Sequence, residues 1–484
     1  MTNIEIRNLE PTTLWNHFAD INAVPRGSKK EEKIIQYMAN FGQQLGLETV
    51  VDPVGNVIIK KPATKGMEDR KTVVLQSHLD MVHQKNSDTE FDFETEGINM
   101  AIDGEWVTAE GTTLGADNGL GVAAIMYVLS ASSLQHPAIE ALFTIDEETG
   151  MTGAMGLEAG YLEGEILLNL DTEEDDELDI GCAGGIDITA RDGYNEVNTP
   201  SNSQSLKISV TGLQGGHSGM DIHKGFGNAN KIMNRVLYST KEFIRIGTIK
   251  GGGLRNAIPR ESFAEVAVYQ SKRKAFEKAF ESISQEIRKE FTTEASLQIS
   301  FSETNKIEKV MTSISQNNLL NALYAAHNGV YKMSSDMEDL VETSNNIARV
   351  LVNDEKIEIA CLTRSSSESS KGNLANTLRA CFEMAGYQVH FSGAYPGWKP
   401  AINSPILQLM SQTYETLFQS KPRVVACHAG LECGILGTNY PDMDMISFGP
   451  TIKGAHSPEE KAHIQSVKKC WQLLVAVLEN IPVK

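Results

Sequence analysis

At 484 residues the chain is too long for one ordinary core, so two domains are expected, with room for a third. Apolar residues make up 41% and charged residues 22%, which excludes a disordered chain. A net charge of -20 excludes a phosphate-gripping surface for nucleic acid and disfavours anionic membranes, leaving solubility as the reading of the surplus acids.

The first residues, MTNIEIRNLEPTTLW, carry no basic stretch followed by an apolar one, and no run approaches the roughly 18 apolar residues of a membrane span. A cytoplasmic location is therefore expected. The six cysteines lie scattered without CxxC spacing, so neither a zinc ribbon nor a disulfide framework is indicated, and reduced, buried thiols are expected.

Taken in chain order, Ser28 and Glu31 have the spacing of a capping box ahead of a helix in KIIQYMANFGQQLGL, and ETVVDPVGNVIIKKP reads as strand, turn, strand. The apolar runs 72–76, 141–145, 165–170 and 444–448 read as strands buried on both faces, and 118–133 reads as a helix. This alternation predicts an α/β domain with a mostly parallel central sheet flanked by helices.

After Cys182 the polar stretch IDITARDGYNEVNTPSNSQS reads as a linker. From Leu206 onwards strands and helices follow in an order that predicts two βαββαβ-like repeats in tandem, an inserted α+β domain. The boundaries expected are 1–187 with 398–484 for the first domain and 188–397 for the insert. The final helix is expected to start at Ser457 as N-cap, with Pro458 at N1 and Glu460 at N3.

Acids and histidines gather at the ends of the buried strands, where open α/β sheets place their ligand sites. His78 and Asp80 follow the first run, Asp146, Glu147 and Glu148 the second, and Asp171 the third. Asp117 opens a helix and, taken alone, reads equally well as a capping carboxylate. His456 precedes the last helix. Together His78, Asp117, Glu148, Asp171 and His456 make a donor set suited to two borderline divalent ions such as Zn²⁺, Mn²⁺ or Co²⁺. A pair of ions roughly 3.5–4 Å apart needs a bridging carboxylate and a separate base, which gives the doubled glutamate a meaning. GCAGG at 181–185 lacks GxGxxG spacing and a following helix, so no nucleotide loop is expected there.

The ordered motifs SHLDMV, TTLGADNGLG, IDEETGMTGA, NLDTEE, GGHSGMDI, RNAIPRE and GAHSPEE resemble those of the M20 family of dinuclear metallopeptidases. HAGLECG, AYPGWKP and the length of the insert are similar to the family's bacterial aminoacyl-histidine (Xaa-His) dipeptidase branch. The resemblance covers essentially the whole chain. It implies a metallopeptidase catalytic domain interrupted by a lid domain, and a cytoplasmic dipeptidase carrying two divalent ions, Zn²⁺ first among them.

By that resemblance His78 and Asp171 hold one ion, Glu148 and His456 the other, and Asp117 bridges them. Asp80 orients His78, and Glu147 is the general base. His217, in a loop that could otherwise be a flexible turn, is implied to stabilise the oxyanion. Asn256, Arg364, His428, Gly430 and Glu432 are implied to contact substrate, Arg364 through a bidentate grip on a carboxylate. Glu432 stands open between recognising a free α-amino group and a purely structural role.

Xaa-His dipeptides, carnosine and other unblocked dipeptides are the substrates implied. A tripeptidase, a carboxypeptidase or an N-acyl-amino-acid deacylase of the same family is the alternative, and an inactive metal-binding paralogue is the reading from another class. A homodimer through the lid domain is a further expectation.

Overall fold

The structure is a computed structural model and describes residues 3–484. Two compact units are present. The first comprises the chain up to Gly181 with Pro400–Ala426 and Leu431–Lys484, and the second comprises Cys182–Lys399 and Cys427–Gly430. The crossing into the second unit comes after Gly181 instead of residue 187, because the strand Gly184–Gly193 lies wholly within that unit's sheet. The return comes after Lys399 instead of 397.

The first unit is built on an eight-stranded sheet in the order Glu48–Val51, Val57–Lys61, Ile139–Thr144, Val73–His78, Ile166–Asn169, Asp444–Ser447, Glu177–Cys182, Arg423–Cys427. Its four central strands, from Ile139–Thr144 to Asp444–Ser447, run parallel. Every residue of Val73–His78 and Ile139–Thr144 is buried, as strands covered on both faces must be. The helix Ala116–Ser130 is apolar on nearly all sides and packs against both Thr12–Ile21 and Val73–His78.

Both S-x-x-E segments fold otherwise than expected. The last helix runs Ile464–Glu479 without a side-chain cap, because Lys461–His463 pairs as a strand with Trp106–Ala109. That frees Glu460 from the helix end. The helix Glu32–Gln44 likewise has no side-chain cap, since Ser28 and Glu31 are engaged elsewhere.

The second unit is a nine-stranded antiparallel sheet with helices packed on it. Eight strands follow the order Gln298–Glu303, Ser203–Thr211, Ser262–Tyr269, Ile244–Gly252, Val341–Asn353, Lys356–Ser365, Gly184–Gly193, Gln388–Tyr395. Numbered by position in the chain, each half reads fourth, first, third, second inward from its own edge. The halves match only if Gly184–Gly193 is the first strand of the later one. The repeats are therefore nested instead of tandem, one being inserted after the first strand of the other. The stretch read as a linker is that strand: Ile188 and Ala190 are buried in the core with Val266, Phe276, Ile347 and Phe382. Turn-forming residues at 193–203 masked its alternation.

The GCAGG run is explained by close packing. A Cβ on Gly185 would sit 2.6 Å from the Tyr395 ring, so only glycine fits. Among the described residues no helix is long and apolar enough to cross a membrane.

Asp179 marks a cost built into the first sheet. Burial pushes its carboxyl up to about 7, from an ordinary 3.8, although the Thr172 hydroxyl donates to it at 2.9 Å. Because the folded pKa lies above the unfolded one, the penalty is absent below about pH 4, grows as pH rises from 4 to 7 and is complete above 7. Asp179→Asn is expected to stabilise the protein, and its advantage to grow by about 3 kcal/mol between pH 5 and pH 8. Urea unfolding at the two pH values checks this, and a pH-independent difference would refute it.

Candidate metal centre

Parallel strands bring their carboxyl ends to one edge, and that edge gathers the expected residues. His78 ends its strand, Asp171 lies just beyond Ile166–Asn169, and Glu147 and Glu148 open a short turn of helix after Ile139–Thr144. Asp117 lies in the first turn of Ala116–Ser130, where its φ of −80° and ψ of 111° break the helical path. His456 sits on a loop with φ 64°.

The five side chains divide around Asp117. Its Oδ1 lies 3.1 Å from His78 Nε2, which is also 3.4 Å from Asp171 Oδ1. Its Oδ2 lies 3.1 Å from His456 Nε2, which is 2.9 Å from Glu148 Oε2. One carboxylate thus presents an oxygen to each of two imidazole–carboxylate pairs. Ligand atoms of His78, Asp117 and Glu148 all fall within 4.8 Å of one another. The other oxygen of Glu148 is buried without a hydrogen-bond partner.

Electrostatics tell the same story. Hydrogen bonds to Asp117 and Glu148 push His456 up to about 11. Burial opposes charge on His78, but Asp171, Asp117 and Asp80 outweigh it and hold the imidazole well above its ordinary value. Burial also opposes charge on Asp117, yet hydrogen bonds from His456 and His78 keep it below the carboxylate range. The carboxylates gathered at this edge thus favour positive charge between them. A donor set of this kind fits a pair of divalent cations. Glu147 is raised well above the ordinary glutamate value by burial, with Asp171, Glu432 and Glu148 adding to it.

The surrounding residues hold these groups by their backbones. Asp80 accepts the N–H groups of Glu147 (3.1 Å) and Glu148 (3.3 Å) and the Ser28 hydroxyl (2.7 Å), and lies 3.4 Å from His78 Nδ1. Glu31 accepts the N–H groups of Lys29 (2.8 Å) and Asp146 (3.1 Å). Asp146, at φ 51°, takes the hydroxyls of Thr149 and Thr152 and so anchors the turn. Asn118 donates to Asp171 and, at 2.8 Å, to the Leu170 carbonyl. Of these, Asp80 and Asp146 are legible in the sequence as site residues, while Ser28, Glu31 and Asn118 are not.

The remaining candidates do not form one group. Glu432 belongs to the first unit, is fully buried, and accepts from Gln76 Nε2 (2.6 Å) and the Thr144 hydroxyl (2.7 Å). Burial pushes it up to about 7. Both of these bonds reach one oxygen, Oε2, and the other, Oε1, is buried without a hydrogen-bond partner. His217, Asn256, Arg364, His428 and Gly430 belong to the second unit. Asn256 is exposed, and its carbonyl accepts the Ser218 N–H at 2.7 Å. His428 Nε2 meets the Ser344 hydroxyl at 2.8 Å, and burial with the nearby Arg364 and His217 drops its pKa to about 3.

His217 and Arg364 lie side by side in the second unit. Nδ1 of His217 accepts the N–H groups of Gly219 (3.3 Å) and Met220 (3.1 Å), and burial with Arg364 drops its pKa to about 4. Its Nε2 lies 3.4 Å from Arg364 Nη2. Arg364, 4% exposed, is held by its Nη1 donating to the Tyr395 hydroxyl at 2.7 Å.

A parallel sheet edge bearing two imidazoles, three carboxylates and a further, half-buried glutamate has the donor set that a dinuclear metallohydrolase needs. The chain belongs to the peptidase family M20/M25/M40, whose model matches residues 74–480. It is 43% identical over 483 residues to the cytosol non-specific dipeptidase of Escherichia coli (strain K12), covering 99% of this chain and 100% of that protein. Its fold is similar to that of the aminoacylhistidine dipeptidase from Vibrio alginolyticus, with a TM-score of 0.93, 45% identity, and coverage of 99% and 98% of the two chains. The aminopeptidase PepT from Bacillus cereus shares the fold, with a TM-score of 0.58 at 16% identity over 98% of this chain and 99% of that one.

Proposed function

We propose that this chain is a cytoplasmic metallodipeptidase that hydrolyses unblocked dipeptides, Xaa-His dipeptides among them. One observation carries the chemistry: Asp117 offers one oxygen to His78 and Asp171 and the other to His456 and Glu148. The names of the full-length relatives support the substrate class and the location.

His78 and Asp171 would hold one divalent ion, His456 and Glu148 the other, and Asp117 both, with Zn²⁺ as the first choice for this donor set. When bound, the ions supply Lewis acidity to the scissile carbonyl and acidity to the attacking water. Glu147 takes the proton of that water and returns it to the leaving amine, a task matched to a carboxylate whose pKa burial has raised. Asp80 keeps the His78 ring in place through Nδ1 and holds Glu147 by its backbone. His217 would donate a hydrogen bond through Nε2 to the developing oxyanion. Arg364 takes the substrate carboxylate, and Asn256, His428 and Gly430 line the pocket.

The second unit would act as lid and dimerisation surface, its terminal strands Gln298–Glu303 and Gln388–Tyr395 offering edges for pairing.

Hydrolysis of β-Ala-His, Gly-His, Leu-Leu, acetyl-Met and Leu-Gly-Gly, measured after chelation and after addition of Zn²⁺, Mn²⁺ or Co²⁺, tests the proposal. Cleavage confined to the three unblocked dipeptides and restored by metal is expected. Acetyl-Met as the preferred substrate would point to a deacylase, and no activity with any ion would refute the proposal. Arg364→Lys should raise KM for dipeptides roughly 10- to 100-fold with kcat nearly unchanged, since a point charge replaces a planar fork. Steady-state kinetics decide it, and an unchanged KM would remove Arg364 from carboxylate binding.

A further inference from the structure

Four consecutive backbone N–H groups, Leu114 to Asp117, converge on a single side chain. Glu460 Oε2 accepts from Leu114 (2.8 Å) and Gly115 (3.0 Å), and Oε1 accepts from Ala116 (2.8 Å) and Asp117 (3.3 Å). Glu460 is 2% exposed and stands four residues beyond His456 on the same loop. Such a concave run of donors normally binds an anion from outside. Here the chain supplies its own.

A cation completes the arrangement. Arg26, 1% exposed, donates through Nη2 to the Gly115 carbonyl at 2.5 Å and through Nη1 to the carbonyls of Leu79 (3.1 Å) and Asp80 (3.2 Å). Gly115 turns through φ +70°, and a Cβ there would lie 2.4 Å from Arg26 Nη2. The backbone that delivers Asp117 is therefore gripped through its N–H groups by Glu460 and through its carbonyl by Arg26.

We propose that Glu460 is a positioning residue, whose carboxylate fixes Asp117 between the two imidazoles and ties it to the loop that carries His456. The proposal rests on the dinuclear reading above. Asp117 and His456 lie 339 residues apart in the chain, and both pairs of donors depend on the placement of the one shared carboxylate. An amide cannot substitute for the acid. Its NH₂ would face two of the four N–H groups and turn acceptance into donor–donor contact. Aspartate keeps the charge but stands one methylene short.

The test titrates chelator-treated protein with Co²⁺, following bound metal by equilibrium dialysis and the visible cobalt spectrum. Glu460→Gln and Glu460→Asp are compared with Lys61→Met. Lys61 Nζ donates to Val128 O (2.8 Å) and Ala131 O (2.7 Å), so its loss loosens the far end of the same helix away from the site. Both Glu460 variants should bind Co²⁺ roughly 10- to 100-fold more weakly, with an altered spectrum, as for other residues that orient metal ligands. Lys61→Met should lose thermal stability yet keep wild-type Co²⁺ affinity and spectrum. Should the Gln variant fail to fold, the Asp variant carries the comparison. Wild-type affinity for two ions in a folded Glu460 variant would overturn this assignment alone. A wild type that takes fewer than two ions would overturn the dinuclear reading and this assignment with it.

Discussion

Glu147→Gln is expected to lower kcat by about 10²- to 10⁴-fold, the usual share of a general base, while the protein keeps two ions per chain. The substitution is nearly isosteric and leaves the Glu147 N–H on Asp80 untouched, so the turn should hold its shape. Glu148→Gln should behave differently. Glu148 faces His456 at 2.9 Å and carries a buried oxygen with no hydrogen-bond partner, so its loss should cost metal. Turnover together with metal content by elemental analysis separates the two neighbours. A Glu147→Gln protein that had lost an ion would place Glu147 among the ligands and leave the base unassigned.

Asp117→Asn should cost both ions together. Each oxygen of Asp117 serves one imidazole–carboxylate pair, so replacing one with an amide nitrogen disables one side and weakens the other. Ligands that bind only the folded state stabilise it, by about 4 kcal/mol for an ion held at a thousandfold excess over its dissociation constant. Chelation should therefore lower the melting temperature of the wild type by several degrees and leave Asp117→Asn where it was. A variant that still responded to chelation as the wild type does would show that Asp117 is not shared.

Sequence and structure agree best where chemistry and period coincide. His78, Asp117, Glu148 and Asp171 each stand at or just beyond the end of an element, and a run such as ALFTI ending in IDEE shows both a strand and the face it serves. The S-x-x-E segments were legible as motifs and misread in role. Ser28–Glu31 and Ser457–Glu460 have the spacing of helix caps, but their partners are Asp80, Asp146 and the backbone at 114–117. Local spacing cannot distinguish a carboxylate that caps its own helix from one that reaches another element, because the donors are alike. The only hint lay in the second segment's neighbour, His456, which already pointed to the site.

The sequence by itself determined the family, the α/β character of the first unit, the α+β character of the insert and which acids and histidines meet at one sheet edge. Those follow from residue type and short-range period, which the chain carries locally. Only the tertiary structure decided that the repeats are nested, that Glu432 is tied to Gln76 and Thr144 inside the sheet, and that Asp117 is divided between two imidazoles. Strand order and burial depend on contacts between residues hundreds of positions apart, such as Glu460 on Gly115. Removing such polar partners from water costs free energy unless they meet, and whether they meet is something no window of sequence contains.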